Sequence, residues 1–210
     1  MVVIRFLGNA CLEIISKQDH IIIDPVFLSH PKKGIEKTFI THHHPDHISR
    51  EILLEIKQDY VLPGKELEIY GPVSVYEELN IDFTLNHSTS NINLNNGLVR
   101  VLDNKCWKAE GCVAYLIEID NKTILHTADS AEFSNELKSF NNEIDLCFIA
   151  CFESNFNDYL KFLKKITPKM VIPYHFTQGK EAEAKKLTKF LQKNDMDSTF
   201  LSIGEEFELK

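Results

Sequence analysis

Thr41-His42-His43-His44-Pro45-Asp46-His47 places four histidines and an aspartate within seven residues, directly after the apolar run Thr38-Phe39-Ile40. The run reads as a buried strand, so the cluster begins where a strand ends. In the pattern His-X-His-X-Asp-His, His42 and His44 fall on one side of a turn, and Asp46 and His47 follow a step later. Imidazoles and a carboxylate at this density are donors for zinc, manganese or iron, whereas calcium requires a cage of oxygens. A solvated histidine-rich loop is the plainer alternative, and an affinity tag would lie at a terminus without an Asp between Pro and His. The stretch is therefore read as a metal site.

Outward from it, the order of elements suggests two sheets packed together with helices outside. Val2 to Leu7 and Leu12 to Ser16 read as strands joined through Gly8-Asn9-Ala10, and Ile21 to Pro25 as a third strand buried on both faces. Thr38 to Thr41 is the fourth. Ser49 is placed to cap a helix with Ile52, Leu53 and Ile56 on one face. Short strands near Tyr60 to Leu62 and Leu67 to Ile69 are expected next, then a helix over Val73 to Leu79. Further strands follow at Leu98 to Leu102, Cys112 to Ile119, Lys122 to His126, Leu146 to Ala150 and Met170 to Pro173. Helices are expected at Phe156 to Ile166, with Asn155 as cap and Pro168 as stop, and at Lys180 to Lys193.

Three further polar spots close apolar strands: Asp24, the segment His126-Thr127-Ala128-Asp129-Ser130, and His175. Each alone reads as a cap or a surface residue. Together with a strand-end ligand cluster they gain weight, because a metal site needs donors converging from distant segments.

The 210 residues suffice for one domain with a full core, expected to span 1–210. Hydrophobic residues make up 43% and charged ones 26%, and the net charge of −8 argues against a polyanionic partner. No apolar run reaches the roughly 18 residues of a membrane span, and Met1 to Arg5 opens into a strand with no signal-peptide pattern. The five cysteines, Cys11, Cys106, Cys112, Cys147 and Cys151, are odd in number and read as reduced core residues of a cytoplasmic protein.

With these landmarks in order, the chain resembles the metallo-β-lactamase superfamily of metal-dependent hydrolases. Leu7-Gly8-Asn9-Ala10-Cys11 looks like the opening turn of the branch that includes ascorbate-6-phosphate lactonase-like hydrolases. Ile23-Asp24-Pro25 resembles the second landmark, and Thr41 to His47 the signature. Thr127-Ala128-Asp129-Ser130 is similar to the Gly-Asp-Thr/Ser segment, with Ala128 where Gly is usual, and Ile172 to Phe176 to the terminal histidine segment. The resemblance implies an α+β fold, a four-layer αβ/βα sandwich with metals at one edge between the sheets. It implies His42 and His44 on a first metal, Asp46, His47 and His175 on a second, and Asp129 bridging. It places Asp24 behind a ligand imidazole as hydrogen-bond acceptor, leaves His43 pointing away, and makes Asp46 the proton shuttle. One or two divalent ions, Zn2+ foremost, with Mn2+ or Fe2+ as alternatives, would lower the pKa of a water toward about 7.

The expected reaction is hydrolysis of an ester, lactone or phosphodiester in a small molecule, with neither nucleic acid nor membrane as partner. Two departures stand against it. The family's third histidine on the first metal should fall within Val101 to Lys108, which contains none, so that position is expected to bind weakly unless Asp103 or Cys106 substitutes. Cys106 also reads as a small residue packed under a loop, and His87 and His126 lie off the matching position. Asn9 stands where related sequences carry histidine. A degenerate, non-catalytic metal-binding or sensing protein is therefore the alternative.

Overall fold

The computed structural model describes residues 1–79, 91–140 and 143–210, together with the backbone of 85–87. Its first half holds β1 (Val2–Gly8), β2 (Cys11–Ile15), β3 (His20–Ile23), β4 (Lys37–Phe39), α1 (Arg50–Glu55), β5 (Glu68–Gly71), α2 (Val73–Leu79) and β6 (Leu85–His87). The second half holds β7 (Asn91–Leu94), β8 (Gly97–Asp103), β9 (Val113–Ile119), β10 (Lys122–His126), α3 (Asn135–Lys138) and β11 (Leu146–Ala150). Helix α4 (Phe156–Ile166), β12 (Val171–Tyr174), α5 (Ala182–Gln192) and β13 (Glu206–Leu209) complete it.

Two mixed sheets form, in the orders β13-β1-β2-β3-β4-β5-β6 and β12-β11-β10-β9-β8-β7. Ile21-Ile22-Ile23 explains why helices must cover the first sheet. Ile21 and Ile23 face the core shared with the second sheet, while Ile22 packs on the other face with Leu7, Cys11, Ile35 and Ile56. Leu53 and Val75, from α1 and α2, cover Ile40 and Ile69 on that outer face. On the second sheet, β11 is buried along its whole length, and α4 contributes Tyr159, Phe162, Leu163 and Ile166 to the core. The result is the α+β sandwich of two sheets with helices outside.

Local signals hold at most boundaries. The Ser49 hydroxyl accepts from the Ile52 amide at 3.3 Å and starts α1. Thr167, at φ 45°, ends α4 just before Pro168. Three expectations are corrected. Tyr60 to Leu62 is not a strand: α1 runs on as a π-helical turn over Ile56–Tyr60, because Ile56 continues its buried face. Asn155 makes no side-chain cap for α4, since Glu153–Asn155 already forms a 3-10 turn leading into it. The cysteines are not all free. Cys106 and Cys112 are disulfide-bonded, their Cα atoms 5.8 Å apart where the connection between β8 and β9 folds back on itself, while Cys11, Cys147 and Cys151 are free and buried. No helix among the described residues is long and apolar enough to cross a membrane.

Parallel pairing decides where the polar residues go. β3 and β4 run parallel in one sheet, and β10, β11 and β12 run parallel in the other. Their C-terminal ends therefore meet on one rim, the usual place for a site in such sheets. Hydrogen bonds across the sheets fix that rim: Tyr115 donates to the Ile40 carbonyl at 2.6 Å, and the Val113 amide to the Thr41 carbonyl at 3.0 Å.

Candidate metal centre

Asp24, Ala128 and His175 follow β3, β10 and β12, and all three adopt left-handed backbone, at φ 49°, 50° and 70°. Each such residue costs about 1–2 kcal/mol, so surrounding contacts must enforce the conformation. For Asp24 those contacts are plain. Its carboxylate accepts from the Thr41 amide at 2.7 Å, the Thr41 hydroxyl at 2.8 Å and His47 Nδ1 at 2.8 Å, entirely out of solvent.

With Nδ1 of His47 donating to Asp24, Nε2 is left to face the rim. It lies 2.9 Å from Asp129 Oδ2 and 3.9 Å from Asp46 Oδ1. From the other sheet, His175 Nε2 lies 2.9 Å from the same Asp129 oxygen and 3.2 Å from Asp46 Oδ2. One donor atom from each of Asp46, His47, Asp129 and His175 thus falls within 4.8 Å of every other. Four convergent N and O donors match the set that holds zinc or a related ion.

The electrostatics of this group are those of a site built for positive charge. Burial opposes charging His47, but Asp24 and Asp129 outweigh it and hold the ring well above the ordinary imidazole value. His175 is likewise disfavoured by burial, yet the Asp129 and Asp46 carboxylates, 2.9 and 3.2 Å from Nε2, lift it to about 9. Burial would raise Asp129, but His47 and His175 pull it well below the carboxylate range. Asp46 is drawn down to about 2, first by its pairing with His175.

His42 and His44 form a second arrangement beside it. His42 Nε2 lies 3.0 Å from His44 Nδ1 and 4.0 Å from Asp129 Oδ2. Its Nδ1 lies 2.9 Å from the Thr41 hydroxyl, which itself donates to Asp24. Thr41 must therefore accept the Nδ1 proton, and the Nε2 lone pair faces the rim. Burial and the neighbouring His47 hold His42 down to about 3, so it stays neutral.

The remaining candidates are sorted by position. Asp103 ends β8 on the surface and belongs to neither group of convergent donors. Cys106 comes close to His42, and so does Cys112, which the sequence reading passed over: His42, Cys106 and Cys112 are mutually within 4.8 Å. The signal available was their spacing, one cysteine inside the segment that lacks the histidine and a second six residues on. His126 is buried at the end of β10, held down to about 4 by burial, and its Nδ1 accepts from the Ala128 amide at 3.3 Å. It stays behind the site. His43 contributes no donor to either group. Only the backbone of His87 is described, paired with Gly71. Asn9 directs its amide to the Val26 carbonyl at 2.9 Å and lines a cleft with Asp46 and His175.

Whether these residues fit an ion can be judged from the atoms they leave over. Among the described residues, Asp129 Oδ1 and His175 Nε2 are buried without a hydrogen-bond partner. For His175 the nearby carboxylates are at ion-pair distance but out of line with the ring nitrogen. Buried polar atoms left unpaired in this way are costly, and a cation within reach of both would satisfy them once the ring gives up its proton. The donor set fits a divalent ion. Two clefts reach it: one of about 680 Å³ at Asp129, Cys106 and Trp107, and one of about 460 Å³ at Asp46 and His175, with Phe152 lining both.

Residues 3–175 match the family described as a beta-lactamase superfamily domain. Among solved structures, a metallo hydrolase from the archaeon Ignicoccus hospitalis superposes with a TM-score of 0.77 at 16% identity, covering 100% of this chain and 99% of that one. Isothiocyanate hydrolase from Delia radicum gut bacteria gives 0.70 at 14% identity, covering 98% of each chain. CmlA, a diiron β-hydroxylase from Streptomyces venezuelae, gives 0.75 at 15% identity and covers 99% of this chain but 54% of its own. No curated protein matches the sequence.

Proposed function

The chain belongs to the beta-lactamase superfamily, and from that premise we propose that it is a hydrolase dependent on a divalent ion held by Asp46, His47, Asp129 and His175. The observation that carries this reading is the convergence of those four donors at the rim, with Asp129 and His175 each keeping a buried atom unsatisfied. Zinc suits the mixed imidazole and carboxylate set best, with manganese or iron as alternatives.

A bound ion would supply Lewis-acid polarisation of the substrate oxygen and lower the pKa of a water toward about 7. The chain's own groups do the rest. Asp24 fixes the His47 tautomer so that Nε2 and not Nδ1 faces the reacting atoms. Asp46, the most exposed member of the set, stays ionised and takes up the water's proton for the leaving atom. Phe152, packed 5.0 Å from the His175 ring, keeps bulk water from that side.

The substrate we propose is a small molecule with an ester, lactone or phosphodiester bond, the lactone option resting on the Leu7 to Cys11 turn. Lys105 and Lys180, one in each cleft, suit an anionic group on it. The three free, buried cysteines fit work in the cytoplasm.

Elemental analysis of the purified protein and a panel of ester, lactone and phosphodiester substrates with added Zn2+ or Mn2+ test the proposal. Metal-dependent turnover, lost on chelation, is expected. A loaded protein inert across the panel would favour the second reading, a non-catalytic metal-binding or sensing protein. That reading draws on the absence of histidine from Val101 to Lys108.

A further inference from the structure

The connection between β8 and β9 brings two sulfurs to His42, whose nearest side-chain neighbour at Nε2 is an imidazole and not a carboxylate. His42, Cys106 and Cys112 each offer one donor atom, all within 4.8 Å of one another. We propose that in the reduced state these three residues form a second, thiolate-rich metal position for zinc or a similarly soft divalent ion, and that the Cys106–Cys112 disulfide closes this position. The inference rests on reading the rim as a metal centre, but not on hydrolysis.

The disulfide is not what places the cysteines. The Asn104 amide donates to the Cys112 carbonyl at 3.0 Å, and the Asn104 side chain donates to the Thr127 carbonyl at 2.7 Å. Next to Cys112, the Val113 amide is tied to the Thr41 carbonyl, one residue from His42. These bonds survive reduction, so both sulfurs stay beside the ring. Thr41 holds Nδ1 of His42 and leaves Nε2 free, the form a ligand needs. His44 Nδ1, 3.0 Å from that nitrogen, is the nearest further imidazole donor.

A cross-link for stability alone would gain little here. The cysteines are 6 residues apart, in a turn already closed by hydrogen bonds, and a disulfide stabilises less the shorter the loop it closes. Cys106 lines the cleft of about 680 Å³ that also reaches Asp129, so a small dithiol has access to its sulfur. In the switching step a dithiol gives two electrons and two protons to the Cys106–Cys112 bond. The S–S bond breaks, two thiols form, and the dithiol leaves as its own disulfide. Metal uptake then releases the two thiol protons to solvent. Thiolates select zinc over manganese, so the two positions on this rim would differ in metal preference as well as in redox response.

The test uses the full chain in two portions, one oxidised and one reduced anaerobically with a dithiol that is then removed. Each is titrated with Co2+ as a spectroscopic substitute for zinc. The reduced portion is expected to bind one equivalent more than the oxidised one, with a thiolate-to-cobalt charge-transfer band that the oxidised portion lacks. In the reduced state, C112S and C106S are expected to lose both the band and the extra equivalent, keeping the visible bands of the imidazole and carboxylate set. Equal uptake by the two wild-type portions without the band overturns the proposal, whether or not the variants fold. The two readings fail separately. Equal uptake of a single equivalent removes only the thiolate position. An oxidised chain that takes up no cobalt, beside a reduced one that takes up a single equivalent with the band, removes only the hydrolytic centre.

Discussion

Around His47 and His175 each inward-facing ring nitrogen meets carboxylate oxygen, whereas around His42 it meets another imidazole and lies close to two sulfurs. The two arrangements are neighbours on one rim and share the Asp24-Thr41 support. Burial opposes charge on the rings of both. The carboxylates reverse that effect at His175, which rises to about 9, and nothing reverses it at His42, which falls to about 3. Identical side chains thus become a proton-holding pair in one place and a neutral donor in the other. Neighbouring charge, not residue type, sets what each position will take.

The comparison breaks most sharply at His175. His175→Ala should remove the ion of the carboxylate-rich position, with affinity falling by about 100-fold or more, since even an orienting partner is worth about 10–100-fold. The fold should persist, because His175 closes a strand at the rim. Full metal content with unchanged affinity would show that His175 is not a ligand of this position. A smaller loss is expected from Asp24→Asn, which keeps shape but weakens the acceptor for His47 and Thr41. Metal binding should weaken about 10–100-fold, measured by competition with a chelating dye. An unaffected affinity would mean that the tautomer of His47 is set elsewhere.

The difference in charge can be titrated in metal-free protein. His175 is raised from 6.5 to about 9, so its contribution to stability is whole below 6.5 and lost as pH rises through 9. His42 is depressed from 6.5 to about 3, so it is neutral when folded and costs stability as pH falls from 6.5 toward 3. Denaturant midpoints should therefore decline on both sides of about 6.5, and the alkaline decline alone should shrink in His175→Ala, His47 supplying what remains of it. A flat alkaline limb in the wild type would refute the assigned charge. The smallest effect is expected at Ala128, which holds a left-handed conformation beside Asp129. Ala128→Gly should raise stability by up to about 1 kcal/mol, relief of the Cβ strain being partly offset by unfolded-state entropy. A loss of more than about 1 kcal/mol would show that the methyl group packs usefully in its buried place.

Much of this rim was legible in the chain because its donors sit where hydrophobic runs stop. Asp24 follows Ile21-Ile22-Ile23, the His42 to His47 cluster follows Phe39-Ile40, Asp129 follows Ile124-Leu125, and His175 follows Val171-Ile172. Periodicity that switches from apolar to polar at a strand end is local information, and it was sufficient for two packed sheets with helices outside, whereas the grouping of Asp46, His47, Asp129 and His175 came from the family resemblance. Tyr60 to Leu62 misled because a short apolar run fits a strand and an extended helix end alike. β7 and β13, with alternate or partly exposed faces, gave too weak a pattern to be read.

What sequence could not determine was proximity between segments of no local pattern. Cys106 and Cys112 are ordinary small residues of a turn until the Val113–Thr41 bond carries that turn from one sheet to His42 on the other. The same holds for Thr41, whose hydroxyl links Asp24 to His42 only once β3 and β4 lie side by side. Donor identities are fixed by the chain itself. Their sharing of charge, which makes His175 basic and His42 neutral, depends on distances between strands far apart in sequence. Coulomb interaction and desolvation act through space, and only the packed sheets supply that space.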